Sequence, residues 1–339
     1  MHYEGNFGEE FEWLPNEIRR QKRRVLVKKH KQSSREIYNG IVVTTKGRYY
    51  FVQKNDSEKE IFKCVISGSV EVKHSHHVLV TVGDRCDFLP PESKDDTEGL
   101  GRIIRVAERK TFLIRKSVIS SQEDVIASNM DQVLIILAVD NPKYNLRLLD
   151  KILVACEYGG VTPIICVNKI DLYFDENVKE AFNVYMKLGY EVVFISAKLS
   201  LGLEQIINEI QHKETLLIGV SGVGKSTLVN KLFGREIQKV GKLAKNLRGR
   251  HTTTACCYLN LDVNTAIIDS PGFREFEIIG ITRDELPFYF PDFTPYFQKC
   301  KFQPCSHTHE PGCKVKRAVE RGKVSYERYL SYLSLYENL

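Results

Sequence analysis

Eight residues constrain this chain more than any others. Gly219-Val220-Ser221-Gly222-Val223-Gly224-Lys225-Ser226 satisfies the phosphate-loop pattern G-x-x-x-x-G-K-[ST] at every fixed position. The apolar run Thr215-Leu216-Leu217-Ile218 before it reads as a buried strand. Behind it, Thr227 to Phe233 carries apolar residues at helical spacing, with Gly234 expected to stop the helix. Strand, loop and helix in that order build a nucleotide triphosphate site. The glycines let backbone N–H groups turn toward a polyphosphate, and Lys225 supplies a point charge for the outer phosphates. The Ser226 hydroxyl can hold Mg²⁺, and Thr227 beside it completes the stretch assigned to the nucleotide.

The segment upstream has the grammar of a doubly wound sheet. Asp131 to Asp140 reads as a buried parallel strand, Asn145 to Tyr158 as a helix and Thr162 to Val167 as a second strand. The second strand ends in Asn168-Lys169-Ile170-Asp171, and a third, Glu191 to Ile195, ends in Ser196-Ala197-Lys198. Carboxyl ends of parallel strands are where such sheets bind ligands. A carboxylate at Asp171 can accept two hydrogen bonds from the guanine edge and finds no equivalent pair on adenine, so N-K-x-D followed by S-A-K selects a guanine nucleotide.

Downstream of the phosphate loop come Gly249-Arg250-His251-Thr252-Thr253-Thr254, the strand Thr265 to Ile268, and Asp269-Ser270-Pro271-Gly272, which fits D-x-x-G. Asp269 is expected to hold Mg²⁺ and the Gly272 N–H to meet the γ-phosphate, with one threonine of Thr252 to Thr254 completing the metal shell. Many GTPases place a water-orienting glutamine after D-x-x-G, but this chain has Phe273 there, and an apolar ring cannot position water. His251 is the candidate to orient or deprotonate that water, an RNA contact or a loop cap being the alternative roles.

The remainder of the 339 residues leaves room for further domains. From Arg19 to Arg35 there are nine Lys or Arg and no acidic residue, a polyanion-binding arm in a tail expected to be flexible. The β-prone runs Ile41 to Val43, Tyr49 to Val52, Ile61 to Val65, Val78 to Val82 and Ile103 to Val106 suggest a small oligonucleotide-binding barrel. Lys46, Arg48 and Tyr49 at one turn, and His74, His76 and His77 at another, are candidate RNA contacts. After a polar link from residue 116 the α/β segment begins. Near the other end, Cys300, Cys305, His307 and Cys313, with His309 as a rival imidazole, suit a structural zinc site. Lys314, Lys316, Arg317, Arg321, Lys323 and Arg328 then lie on expected helices as a basic surface for nucleic acid. No apolar run approaches the ~20 residues of a membrane span. The nine cysteines fit a reducing compartment with one metal site, so a cytoplasmic protein without membrane contact is expected.

Conventional GTPases run phosphate loop, switch threonine, D-x-x-G, N-K-x-D, S-A-K, and this chain places the last two first. That permuted order, with G-R-H-T-T-T and the cysteine pattern, closely resembles the ribosome small-subunit-dependent GTPase family called RsgA or YjeQ, over about residues 37 to 335. Beyond a basic tail at 1–36, expected to be flexible, that lies outside the matched part, the resemblance implies a multidomain chain: an N-terminal RNA-binding OB-fold barrel at 37–115, a circularly permuted α/β GTPase domain at 116–285 and an α-rich zinc domain at 286–339. It favours His307 as the imidazole ligand of one zinc per chain. It implies a GTPase, taken as a monomer, that is stimulated by the small ribosomal subunit, binds its rRNA and hydrolyses GTP to GDP with Mg²⁺ during late subunit maturation. An RNA-binding protein using GTP only as a structural or regulatory ligand is the alternative. A γ-phosphate kinase is disfavoured by N-K-x-D with S-A-K.

Overall fold

A computed structural model describes residues 36–57, 60–74, 76, 78–91, 99–116, 123–236, 256–273 and 275–339. The basic arm, His77 and the segment His251 to Thr254 lie outside the described residues.

The first unit is a closed barrel of β1 (Tyr38–Lys46), β2 (Tyr49–Lys54), β3 (Ile61–Val72), β4 (Arg85–Leu89) and β5 (Gly101–Val106). Neighbours run β1-β2-β3-β5-β4, and β4 pairs back onto β1. Only β3 and β5 are parallel. Val42, Val52, Cys64, Phe88, Ile103 and Val106 fill the interior. One expected strand is corrected: Val78 to Val82 forms none, and Arg85–Leu89 occupies that place in the barrel. The Thr81 N–H donates to the Asp84 carboxylate at 2.7 Å, turning the chain. Val80 then packs in the barrel core and Val82 in the next core, so this β-prone run is a seam.

The polar link expected from residue 116 is instead a hairpin of β6 (Phe112–Lys116) and β7 (Glu123–Ser128). Its apolar residues Leu113, Ile126 and Ala127 join the core of the following sheet. His76 lies edge-on to Phe112, with ring centroids 4.4 Å apart, and its Nδ1 sits 3.5 Å from Glu123, so this histidine is packed against the hairpin.

The α/β unit contains β8 (Gln132–Ala138), α1 (Leu146–Tyr158), β9 (Thr162–Asn168), α2 (Glu176–Lys187), β10 (Glu191–Phe194) and α3 (Leu203–Ile210). It continues with β11 (Glu214–Ile218), α4 (Lys225–Glu236), β12 (Cys257–Asn260) and β13 (Ala266–Asp269). The sheet order is β10-β9-β8-β11-β13-β12, parallel except for β12. Alternate residues of β8 feed opposite faces. Val133, Ile135 and Leu137 pack with α1 and α2, whereas Leu134, Ile136 and Ala138 pack with α3 and α4. Burial on both sides explains why the strand is continuously apolar. Gly234 lies inside α4, contrary to expectation, because a glycine costs a helix only about 1 kcal/mol and does not by itself end it. The barrel is stitched to this sheet where β1 meets β12: Thr44 pairs with Cys257, and the Thr44 hydroxyl donates to the Cys256 carbonyl at 2.9 Å.

The last unit has 3₁₀ turns at Leu286–Tyr289 and Pro291–Phe293, then α5 (Thr294–Phe297), α6 (Lys314–Glu320) and α7 (Tyr326–Asn338) around Leu286, Phe290, Phe293 and Tyr332. Arg328, expected on a basic surface for nucleic acid, is only 2% exposed. Its charge is taken up by Asp150 and Asp292, whereas Lys314, Arg317, Arg321 and Lys323 are exposed.

Candidate nucleotide site and metal centre

The phosphate loop turns between β11 and α4 at the carboxyl edge of the sheet. Gly224 has φ +99°, and a Cβ there would lie 2.3 Å from the Asn168 amide nitrogen. A Cβ at Gly219 would lie 2.4 Å from the Ile136 carbonyl oxygen. Both positions therefore require glycine. The Lys225 ammonium donates to the Gly219 carbonyl at 2.8 Å, folded back along the loop. Burial pulls its pKa below the ordinary lysine value, with the charge of Asp269 opposing. Ser226 and Thr227 open α4 with exposed side chains, leaving their hydroxyls accessible at the helix N-terminus.

Asp269 ends β13 and is 5% exposed. Three residues on, a Cβ at Gly272 would come within 3.2 Å of Ser221 Cα and 3.3 Å of Lys225 Nζ, so D-x-x-G lies directly against the phosphate loop. Phe273 bridges Val220 in parallel register, and its carbonyl accepts the Ser221 N–H at 3.3 Å. Its ring is buried beside Phe276 with centroids 5.7 Å apart, away from any water-orienting role. His251, Thr252 and Thr253, expected to serve the same reaction, lie outside the described residues.

Residues on β9 and the loop after β10 converge on the phosphate loop. Asn168 is buried; its Nδ2 donates to the Val223 carbonyl and its Oδ1 accepts the Ala197 N–H. One amide thus joins N-K-x-D, S-A-K and the phosphate loop. Ser196 donates its hydroxyl to Asp171 and accepts the Leu199 N–H at 3.1 Å, which holds the aspartate at the rim. The Ile170 N–H donates to the Ile195 carbonyl, and Lys198 projects from the surface. The Lys169 ammonium is seated on the Asn141 carbonyl, a contact that sequence reading did not find. The only signal for it was the turn composition of Asn141-Pro142.

In the last unit, ligand atoms of Cys300, Cys305, His307 and Cys313 lie within 4.8 Å of one another. His307 Nδ1 is 3.4 Å from Cys313 Sγ and 3.6 Å from Cys300 Sγ, and those two sulfurs are 3.9 Å apart. Ligands about 2.3 Å from a common centre at tetrahedral corners are about 3.8 Å apart, so the set fits a metal ion. Backbone N–H groups of Lys314 and Lys316 point at the Cys300 and Cys313 sulfurs, contacts that orient ligand atoms of this kind. The rival His309 is exposed and hydrogen-bonded to Thr308.

A family model described as RsgA GTPase matches residues 106–279. The small ribosomal subunit biogenesis GTPase RsgA of Chlorobaculum parvum is 39% identical over 311 residues, covering 90% of this chain and 99% of the relative. The crystal structure of YjeQ from Thermotoga maritima is similar at 31% identity and a TM-score of 0.67, covering 90% of this chain and 99% of that one. YloQ, described as a circularly permuted GTPase, matches at 26% identity and a TM-score of 0.63, covering 89% and 95%.

Proposed function

The chain belongs to the RsgA GTPase family, and from that premise we propose that it binds the small ribosomal subunit and hydrolyses GTP to GDP and phosphate during late maturation of that subunit. The observation that supports this reading is the Asn168 amide, which joins the N-K-x-D and S-A-K segments to the phosphate-loop motif despite their reversed order in the chain.

In the proposed mechanism, Asp171, steadied by Ser196, accepts hydrogen bonds from the guanine edge, with Lys169, Ile170, Ala197 and Lys198 walling the base. The N–H groups of Gly219 to Thr227 and the Lys225 ammonium take the phosphates. Lys225 exchanges its internal Gly219 partner for a phosphate oxygen, whose negative charge holds its proton more firmly. Ser226, Asp269 and a threonine of Thr252 or Thr253 are the residues that would hold the Mg²⁺ accompanying GTP, which would supply positive charge against that developing on the phosphates. The Gly272 N–H reports the γ-phosphate. With Phe273 buried, His251 is the residue proposed to orient or activate water.

Cys300, Cys305, His307 and Cys313 hold one structural zinc, whose closed four-ligand set supports folding and leaves no position for chemistry. The barrel turn at Lys46, Arg48 and Tyr49 and the exposed cations of α6 are the proposed rRNA contacts. The chain is proposed to act as a cytoplasmic monomer. No helix among the described residues is long and apolar enough to cross a membrane. Competing GTP, ATP and XTP against a bound fluorescent guanine nucleotide tests the site: GTP must displace it far better than ATP, and equal displacement would contradict the reading.

A further inference from the structure

Arg328, on α7, is buried at the junction of the cysteine–histidine unit with the GTPase sheet. Its guanidinium reaches Asp150 of α1 at 2.6 Å, and its Nε and Nη2 grip Asp292 at 3.1 and 2.9 Å. Tyr185 of α2 donates its hydroxyl to Asp150 at 3.0 Å, and the Tyr185 and Phe290 rings flank the guanidinium. Asp150 and Asp292 are 1% and 7% exposed. Burial works against the charge on Arg328, but the hydrogen bonds to Asp292 and the charges of both carboxylates hold its proton more firmly than water does. The clamp joins three chain segments distant in sequence.

Asp150 stands five residues beyond the Asn145 N-cap, about 7 Å along α1. The loop entering that helix is a wall of the nucleotide site. The Asn141 carbonyl seats Lys169, the Val139 N–H donates to the Asn168 carbonyl at 3.0 Å, and the Tyr173 hydroxyl donates to the Val139 carbonyl. Pro142 Cδ is 3.4 Å from where a Cβ on Gly222 of the phosphate loop would stand. Displacing α1 must therefore move groups that touch both the base loop and the phosphate loop.

We propose that Arg328 is a positioning residue for the nucleotide site: by clamping Asp150 and Asp292 it fixes α1, and with it the 139–145 loop, to the cysteine–histidine unit, so that guanine nucleotide binding and the seating of α7 are thermodynamically coupled. The inference rests on the nucleotide-site reading above. Coupling is reciprocal, so GDP must slow opening of α7, and loosening the clamp must weaken GDP binding.

Hydrogen exchange of the wild-type chain with and without saturating GDP is the first test, with slower exchange across Tyr326–Asn338 expected. The second compares wild type with R328M/D150N/D292N, which removes the three charges together and leaves none buried alone. A folded, metal-loaded triple variant should bind GDP about tenfold more weakly and show no GDP-dependent protection of α7. A purely structural clamp would instead lower the melting temperature and leave GDP affinity unchanged, and that result overturns the proposal. Wild type that binds GDP without protecting Tyr326–Asn338 overturns it too, whether or not the variant folds. Wild type that binds no GDP defeats the underlying nucleotide-site reading.

Discussion

The side-chain amide of Asn168 donates to the Val223 carbonyl at 2.8 Å, fastening the N-K-x-D loop to the phosphate loop. Asn168→Ala removes that bond and strands the Ala197 N–H that the amide oxygen accepts. A buried group left without a partner costs about 1–3 kcal/mol, so GTP affinity should fall by about 10- to 100-fold while the chain stays folded. Direct titration checks this, and wild-type affinity in the variant would remove Asn168 from the site's architecture.

Asp171→Asn replaces the acceptor held by Ser196 with an amide. GTP binding should weaken by about tenfold or more, and preference should move toward xanthosine nucleotides, whose edge presents the complementary acceptor. The measurement is a pair of competition titrations. An unchanged order of GTP over XTP would refute base recognition by Asp171.

Much of the candidate site's placement was legible because its short motifs follow apolar strands. Asn168 to Asp171, Ser196 to Lys198 and Gly219 to Ser226 sit at strand ends, where the run of apolar residues stops. The seams were not legible. Val78 to Val82 has strand composition, yet the buried Asp84 carboxylate, which takes the Thr81 N–H and a bidentate Arg109, bends it into a turn shared by two cores. Arg328 has the composition of a surface cation, and only tertiary structure supplies the two carboxylates that allow its burial. The hairpin at 112–128 was hidden by the polar residues between its strands, although Phe112-Leu113-Ile114 and Val125-Ile126-Ala127 were visible apolar triplets.

Cys305→Ser should lower bound metal and destabilise the last unit, because binding by such sites is coupled to local folding. Elemental analysis with a thermal melt tests both parts. Full metal occupancy in the variant would exclude Cys305 as a ligand.

Lys225 gives a pH prediction. Its pKa is lowered by burial, so between that value and the ordinary lysine range of about 10.4 the folded, nucleotide-free chain binds fewer protons at this group than the unfolded chain. This group's contribution to stability therefore rises with pH through that window. GTP phosphates raise the pKa again, so binding takes up a proton and affinity should decline on the alkaline side earlier than for an ordinary lysine. GTP titrations across alkaline pH, compared with Lys225→Met, check the sign. A wild-type decline no earlier than the ordinary lysine range would oppose it.

His251→Ala tests the proposed water-activating group. GTP affinity should survive while hydrolysis falls by about 10²-fold or more, in line with the loss of a general base. Single-turnover hydrolysis at saturating nucleotide is the readout. A variant that turns over like wild type would leave Phe273 without a compensating residue at His251.

The central claim is a GTPase whose chemistry answers to the small ribosomal subunit. The most direct measurement is the GTP hydrolysis rate of the full chain at saturating GTP, alone and with purified small subunits, with large subunits as the control. With Phe273 buried at the usual glutamine position, the rate alone should be slow, and small subunits should raise it by about tenfold or more while large subunits do not. A rate unchanged by small subunits, or raised equally by both, would contradict the account.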